Sequence, residues 1–406
     1  MGKVARLIMV TESNNNKFYN MTEDPNGTTF TVEFGRVDSS SQKTSYSMSQ
    51  WNSKLNSKLR KGYKDITDLV AVEEIVTSSD DKEMFISDNE KVKKLILELQ
   101  AWAKATIQKN YKISANKVTQ KMVDTAQELI DKLSLAFSNG ESFEELNKII
   151  LEIYTTIPRK MKNVKSYLLK DNNTETIKEL IDNEQKLLDT MAGQVMSVTA
   201  TTETQEDNVD KQTSLLEQLS LEINPVTDNA VLSLIMKLMG DSKSLMGNVY
   251  EVINHKTQPR YDETLSKTDT KNEQLLWHGS RNQNWFNIIQ TGLLIRPSGA
   301  IYTGSMFGDG IYFANKAQKS IGYSSLRGSY WTNGSENKSY LALFSVNLGN
   351  TKDVLHHTSE CYKFSKTTIQ PYDSVYAHGG ADLRNDEFII YDSSQCTIKY
   401  LIEIKR

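Results

Sequence analysis

His278, Gly279 and Ser280 stand at the end of an apolar run that closes on Trp277, so a buried strand would deliver an imidazole and a hydroxyl to the rim of a cleft. Gly279 between them would let a ligand come close to the backbone. The tripeptide alone says little, because a histidine beside a strand is more often a satisfied structural residue than a ligand contact. The next thirty residues add to it. Gly304, Gly308 and Gly310 surround Met306 and Phe307, and Ile311-Tyr312-Phe313-Ala314 reads as a strand with Tyr312 and Ala314 on one face. A glycine loop, an aromatic strand, and then Ser320 and Tyr323 form a layout able to clamp a flat ring. Two familiar nucleotide loops fail here: Phe313 stands where a dinucleotide fingerprint needs glycine, and no Gly-Lys-Ser/Thr closes a phosphate loop.

The stretch resembles the catalytic domain of the poly(ADP-ribose) polymerases, in the diphtheria-toxin-like branch of the ADP-ribosyltransferases. That family carries a His-Tyr-Glu triad: the His in an HGS step, the Tyr in a GIYFA strand, the Glu in a later strand reading roughly NEYIVYD. The matching residues are His278, Tyr312 and Glu387, the last within Asn385-Asp386-Glu387-Phe388-Ile389-Ile390-Tyr391-Asp392. The resemblance implies NAD+ as substrate and no metal. Gly279 would bind the nicotinamide amide through its backbone, with Ser280 and Ser320 adding hydroxyls, and Tyr323 with Tyr312 would sandwich the ring, with Ala314 lining the same site. His278 would hold the adenosine ribose. Glu387 would hydrogen-bond the nicotinamide ribose, stabilise an oxocarbenium-like cation and polarise an acceptor hydroxyl.

Several positions depart from the family pattern. Leu294 stands where a basic residue is frequent, with Arg296 two residues on, Asp309 replaces a common lysine, and Asn385-Asp386 precede the Glu in place of Tyr-Asn. The loop 361–384 is short beside the large members. Polymer growth and single transfer, onto protein or DNA ends, are therefore both open, and a catalytically weak DNA- or NAD-binding module is a third possibility.

What must position these residues is a chain of 406 residues, long enough for two or three domains. Hydrophobic content of 38% suffices for cores, and a net charge of -3 points to no general polyanion binder. Cys361 and Cys396 are neither CxxC-spaced nor grouped with histidines, which excludes a zinc finger and leaves two free thiols in a reducing compartment. His356-His357 reads as loop surface. With no 18-residue apolar run and no signal-peptide pattern, a soluble chain without membrane contact is expected, not secreted, nuclear in a eukaryote and otherwise in the cytoplasm or nucleoid. No dense Lys/Arg run marks nuclear import.

Three regions follow, an α+β multidomain arrangement. Residues 1–76 read as a small β-rich domain, with strands over 4–10 and 28–37 around the Asp24-Pro25-Asn26-Gly27 turn and a helix over 47–61 carrying Trp51, Leu55 and Leu59. Between Asp38 and Asp65 there is no acidic residue, while Lys43, Lys54, Lys58, Arg60, Lys61 and Lys64 all fall there. Phe34-Gly35-Arg36-Val37 with Lys61-Gly62-Tyr63 resembles the WGR domain of DNA-dependent family members, although Phe34 takes the place of Trp. The resemblance implies binding of 5′-phosphorylated DNA strand breaks through Phe34, Arg36, Lys54, Lys58 and Lys61, Arg36 also coupling the domain to its neighbours. A polar linker over 77–88 leads to an all-α bundle at 88–198, where residues 112–118, 149–158 and 184–189 resemble the family's regulatory helical domain, with Asp189 on its inhibitory helix. That domain would block NAD+ until DNA loosens it. A hinge over 199–212 reaches the α+β catalytic domain of the ADP-ribosyltransferase fold at 213–406, with a helix near 230–238 and strands at 340–348, 387 onward and 397–404. The protein acceptors would include the chain itself.

Overall fold

The computed structural model describes residues 2–37, 39–70, 85–111, 118–203, 214–295 and 306–406. The chain divides into two compact units, Met1–Asp81 with Lys104–Val195, and Lys82–Ala103 with Met196–Arg406.

The first unit begins with strands β1 (Val4–Thr11), β2 (Asn15–Glu23), β3 (Thr29–Arg36) and β4 (Gln42–Ser47), then helix α1 (Trp51–Arg60) and the short β5 (Lys64–Asp65). They form one antiparallel sheet in the order β4-β3-β2-β1-β5. Alternation along β1 and β3 puts Ala5, Leu7, Phe30 and Val32 on one face, where Trp51 of α1 closes over them and meets Phe30 edge-on at 5.0 Å. Leu59, read from the sequence as part of the same helical stripe, is 39% exposed, whereas Trp51 is buried and Leu55 packs against the core.

Helix α2 (Glu90–Asn110) is followed by α3 (Gln120–Ser138), α4 (Phe143–Thr156) and the long α5 (Thr174–Glu203). Thr119 and Ser142 cap α3 and α4 by accepting from the backbone N–H groups of Met122 and Glu145. Buried faces at three- and four-residue spacing make a core of Met122, Ala126, Ile130, Leu133, Ile150, Ile153, Leu188 and Met191. Inside it, Arg159 is ion-paired with Glu184 of α5, both almost fully buried, beside Tyr111, Tyr154 and Tyr167. The backbone carbonyl of Arg159 accepts from Asn16 of β2 at 2.9 Å, so the sheet and the bundle share one buried joint. The sequence places a hinge from residue 199. Instead α5 continues to Glu203, while residues 204–212 lie outside the described ones, as do 71–84, which take in the end of the predicted β-rich domain and most of the 77–88 linker, and 112–117.

The second unit holds α6 (Leu215–Gln218), β6 (Leu221–Pro225), α7 (Asn229–Met239), β7 (Met246–Asn254), α8 (Thr257–Lys267), β8 (Glu273–Gly279), α9 (Asn282–Thr291), β9 (Ile311–Phe313), α10 (Ala317–Ile321), β10 (Lys338–Asn347), β11 (Thr351–Val354), β12 (Ser374–Ala377), β13 (Glu387–Ile390) and β14 (Cys396–Lys405). Two sheets result, in the orders β6-β7-β14-β10-β8 and β11-β12-β13-β9. β10 and β14, interior strands of the first of these sheets, are buried along nearly their whole length. The start of α2 packs Val92, Leu95, Ile96 and Leu99 into this unit's core, and Glu98 accepts from Lys338 at 2.6 Å and from the Tyr340 hydroxyl at 3.2 Å. Cys361 and Cys396 are free and buried, and burial pushes the Cys396 thiol up to about 12. Among the described residues no helix is long and apolar enough to cross a membrane.

Candidate active site

Among the described residues, a backbone bridge links the two sheets of the second unit. Trp277 donates to the carbonyl of Ala314 at 2.8 Å, and Ala314 donates back to the carbonyl of Trp277 at 3.0 Å, an antiparallel bridge between the end of β8 and the end of β9. This bridge sets the His278-Gly279-Ser280 step against the Tyr312–Ala314 strand. β13 pairs antiparallel with β9, Phe388 opposite Phe313 and Ile389 opposite Tyr312, so Glu387 stands at the end where β9 passes into Ala314. Residues more than a hundred positions apart in sequence thus converge through strand register.

His278 is half-buried, ringed edge-on by Trp285, Phe313 and Phe344 at 6.4, 5.9 and 6.0 Å. Its Nδ1 lies 3.1 Å from the carbonyl oxygen of Tyr312. A carbonyl only accepts, so Nδ1 carries the proton and Nε2 keeps a lone pair for a ligand hydroxyl. Burial lowers the His278 pKa, against a smaller upward pull from that hydrogen bond, and the ring is held neutral.

Tyr312 donates its hydroxyl proton to the carbonyl of Gly308 at 2.8 Å and accepts from the N–H of Phe307 at 2.9 Å. The ring therefore pins the glycine loop, where Gly308 has φ +75° and a Cβ would fall 2.0 Å from the carbonyl oxygen of Phe364. Burial raises the Tyr312 pKa, aided by the charges of Glu387 and Asp309, so the phenol stays protonated. Tyr391 closes the same loop by donating to the carbonyl of Phe307 at 2.5 Å.

Gly279 has no room for a side chain, since a Cβ there would meet the carbonyl oxygen of Ser320 at 2.0 Å. Ser320 is buried at the end of α10, directly against the HGS step. The Ser280 hydroxyl accepts from Asn284 at 3.0 Å in the first turn of α9. Tyr323, just beyond α10, is exposed at its edge, and burial followed by the charge of Glu387 pushes its hydroxyl up to about 12.

Glu387 is buried and ion-paired with Lys319 of α10. Sequence reasoning missed Lys319, a lysine in a polar stretch whose meaning depends on a partner 68 residues away. Asp386, beside Glu387, accepts from the Gly379 N–H at 2.9 Å, from Asn315 at 2.9 Å and from Tyr376 at 3.3 Å. Burial alone would raise its pKa, and these donors hold it below the ordinary carboxylate range. His357, read as loop surface, packs edge-on against Phe307 and Tyr362, and its Nε2 lies 3.0 Å from the carbonyl of Met306, so it buttresses the glycine loop. Gly304 and Arg296 lie outside the described residues, and Leu294 is exposed.

In the first unit, Lys58 lies over the rings of Tyr19 and Tyr63 at 4.1 and 5.2 Å, and Lys54 over Tyr46 at 3.9 Å. Burial lowers the Lys58 pKa, and repulsion from Lys61, Lys54 and Lys17 lowers it further. Lys17 of β2 joins this basic face across the sheet, which linear charge counting does not reveal. Phe34 is half-buried with its ring 5.9 Å from Tyr19. Arg36 points elsewhere: its guanidinium donates to the carbonyls of Asn14, Met161 and Lys162 at 2.9, 3.1 and 2.7 Å.

Residues 235–406 match the model of the poly(ADP-ribose) polymerase catalytic domain. The chain is 37% identical over 190 residues to uncharacterized protein 101L of Invertebrate iridescent virus 6, covering 47% of this chain and 76% of that protein. It is 30% identical over 198 residues to the putative poly [ADP-ribose] polymerase-like 100L of the same virus, covering 48% of this chain and 99% of that protein. Poly [ADP-ribose] polymerase 1 of Gallus gallus is 25% identical over 368 residues, covering 82% of this chain, which spans 35% of that protein's length. With the histidine, tyrosine and glutamate strands meeting in the matched region, the chain belongs to the poly(ADP-ribose) polymerase family.

Proposed function

We propose that this chain is an NAD+ ADP-ribosyltransferase that breaks are able to activate: DNA ends bind its N-terminal part, and it builds poly(ADP-ribose) on itself and nearby proteins. The observation that supports the reading is the Trp277–Ala314 bridge, which together with the β9–β13 register brings the strands bearing His278, Tyr312 and Glu387 side by side. The domain assignment that goes with it is DNA binding at 1–76, regulation at 88–198 and catalysis at 213–406.

The bond at issue joins nicotinamide to C1′ of ribose. Its heterolysis expels neutral nicotinamide and leaves positive charge on the sugar, an acceptor oxygen then bonds to C1′, and the acceptor proton passes to Glu387. His278, neutral with Nε2 free to accept, suits a ribose hydroxyl. The backbone of Gly279, which packs against Ser320, is proposed to hydrogen-bond the nicotinamide amide, with Tyr323 beside it. Glu387 supplies the negative charge, oriented by Lys319.

The test is purified full chain with NAD+, with and without short duplexes differing only in a 5′-phosphate. The expected result is nicotinamide release stimulated by the phosphorylated duplex and a ladder of modified protein. Addition of a single ADP-ribose per site would replace polymer formation by single transfer, and label chased into the duplex would make DNA the acceptor. Absence of nicotinamide release would leave a binding module.

A further inference from the structure

Tyr330 and Trp331 are 78% and 62% exposed, beside the candidate site rather than in any core. Large aromatics held in solvent mark a surface kept for contact rather than for packing. They are also pinned. The backbone N–H of Trp331 donates to the carbonyl of Gly322 at 3.0 Å, and the indole Cδ1 lies 3.1 Å from where a Gly322 Cβ would stand, so the absent side chain makes room for the ring. The rest of the loop is closed by its own hydrogen bonds, Arg327 N–H to the Glu336 carbonyl at 2.7 Å, Glu336 N–H to the Ser325 carbonyl at 3.0 Å, and Ser325 N–H to the Ser339 hydroxyl at 3.1 Å. What this rigid loop presents is the indole, stacked on Tyr323 with centroids 6.0 Å apart and planes 21° from parallel, while Tyr330 meets the indole edge-on at 4.6 Å.

We infer that Trp331 is a positioning residue for the nicotinamide end of the substrate. It covers one face of Tyr323 and fixes that ring so that the opposite face is presented to the ligand. The inference rests on the functional reading above and assigns a part of the site that the HGS, GIYFA and glutamate motifs do not contain. Without the indole, Tyr323 would have the covered face in solvent as well and more than one rotamer open to it, and a stacked ligand would have to order it on binding.

Stacking of this kind acts on bound substrate and transition state alike, so it governs KM rather than kcat. Trp331→Ala is expected to raise KM for NAD+ about three- to tenfold, the size of a stacked aromatic pair. The dissociation constant of benzamide, a probe carrying the ring and amide alone, should weaken by the same factor. That of ADP-ribose, which lacks the ring, should stay put. Trp331→Phe should restore most of the loss, and Tyr330→Ala should have a smaller effect. Because the indole is exposed, the melting temperature should hold. Unchanged KM and benzamide affinity in an active Trp331→Ala protein would overturn the inference and leave the transferase reading standing, as would a loss in kcat alone. Wild-type protein that neither consumes NAD+ nor binds benzamide would overturn both.

Discussion

Lys319 and Glu387 form an ion pair whose side chains are only 13% and 12% exposed, joining α10 to the first residue of β13. A carboxylate so far from water needs this counter-charge, and the pairing fixes where it points. Glu387→Gln keeps the shape and removes the charge, so NAD+ turnover should fall about 10²–10³-fold, the scale of losing one preorganised electrostatic group. Binding of benzamide should survive. Lys319→Gln should lower stability by about 3 kcal/mol through the orphaned carboxylate. The double variant should melt higher than the sum of the two single losses predicts, because each single change strands the other partner. Additive losses in a thermal-denaturation cycle would show that the two groups act independently.

Gly279→Ala places a methyl where the Ser320 carbonyl oxygen stands 2.0 Å away, and both groups belong to backbone that is hydrogen-bonded in place. A flexible side chain could swing clear, whereas a helix end has to move. Overpacking of this kind costs about 1–3 kcal/mol, and the displaced α10 carries Lys319 and Ser320 with it. Activity should therefore be lost out of proportion to the drop in melting temperature. Ser320→Ala, which leaves the backbone alone, should fold as wild type and lose less. Equal activity in the two variants, measured as nicotinamide release, would count against the crowding argument.

His278 yields a pH dependence with a definite sign. Its folded pKa lies below the ordinary value of about 6.5, because burial penalises the imidazolium. Above that value both folded and unfolded chains hold the ring neutral. As pH falls below it the unfolded chain takes up the proton first, so stability declines with falling pH until the folded site also protonates. Below the lowered folded value Nε2 itself takes up a proton and ceases to be an acceptor, so NAD+ affinity should fall at a lower pH than the onset of the stability loss. His278→Gln should flatten both curves below pH 6.5, as followed by denaturant titration and by KM measured across pH.

The parts of this site that were legible in the sequence are those carried by strand-bound motifs. Trp277-His278-Gly279, Ile311–Ala314 and Glu387–Ile390 combine apolar runs with a polar or glycine break, and such breaks survive in a linear reading. Lys319 and Trp331 do not, because each acquires meaning from a neighbour that only folding supplies: a carboxylate 68 residues on for the lysine, the Tyr323 ring and the missing Gly322 side chain for the indole. His357 is similar, its surroundings being Phe307 and Tyr362. In the N-terminal sheet, β1 and β3 announce themselves by alternation. β4 is almost entirely exposed and nearly all polar, so pairing with β3 is its main reason to be a strand, and β2 hides its buried Tyr19 and Met21 among asparagines and charges.

Arg36 offers a separation of DNA binding from coupling. Two of the proposed DNA-contacting lysines, Lys54 and Lys58 of α1, lie over the rings of Tyr46 and Tyr19 of the sheet, whereas Arg36 spends its guanidinium on carbonyls of Asn14, Met161 and Lys162, the last two in the segment leading to α5. Arg36→Ala strips three carbonyls of a charged donor at a partly buried joint, which should cost about 2–3 kcal/mol of stability. On the proposed reading it should leave DNA affinity and DNA-independent NAD+ consumption near wild type, while stimulation by a 5′-phosphorylated duplex largely disappears. Lys58→Ala should do the reverse: affinity falls, the slope of log affinity against log salt shrinks by about 1, and saturating DNA still stimulates. The pair of variants, titrated with duplex at two salt concentrations while nicotinamide release is followed, distinguishes a coupling arginine from one more phosphate contact, because only the latter would change the salt slope in Arg36→Ala.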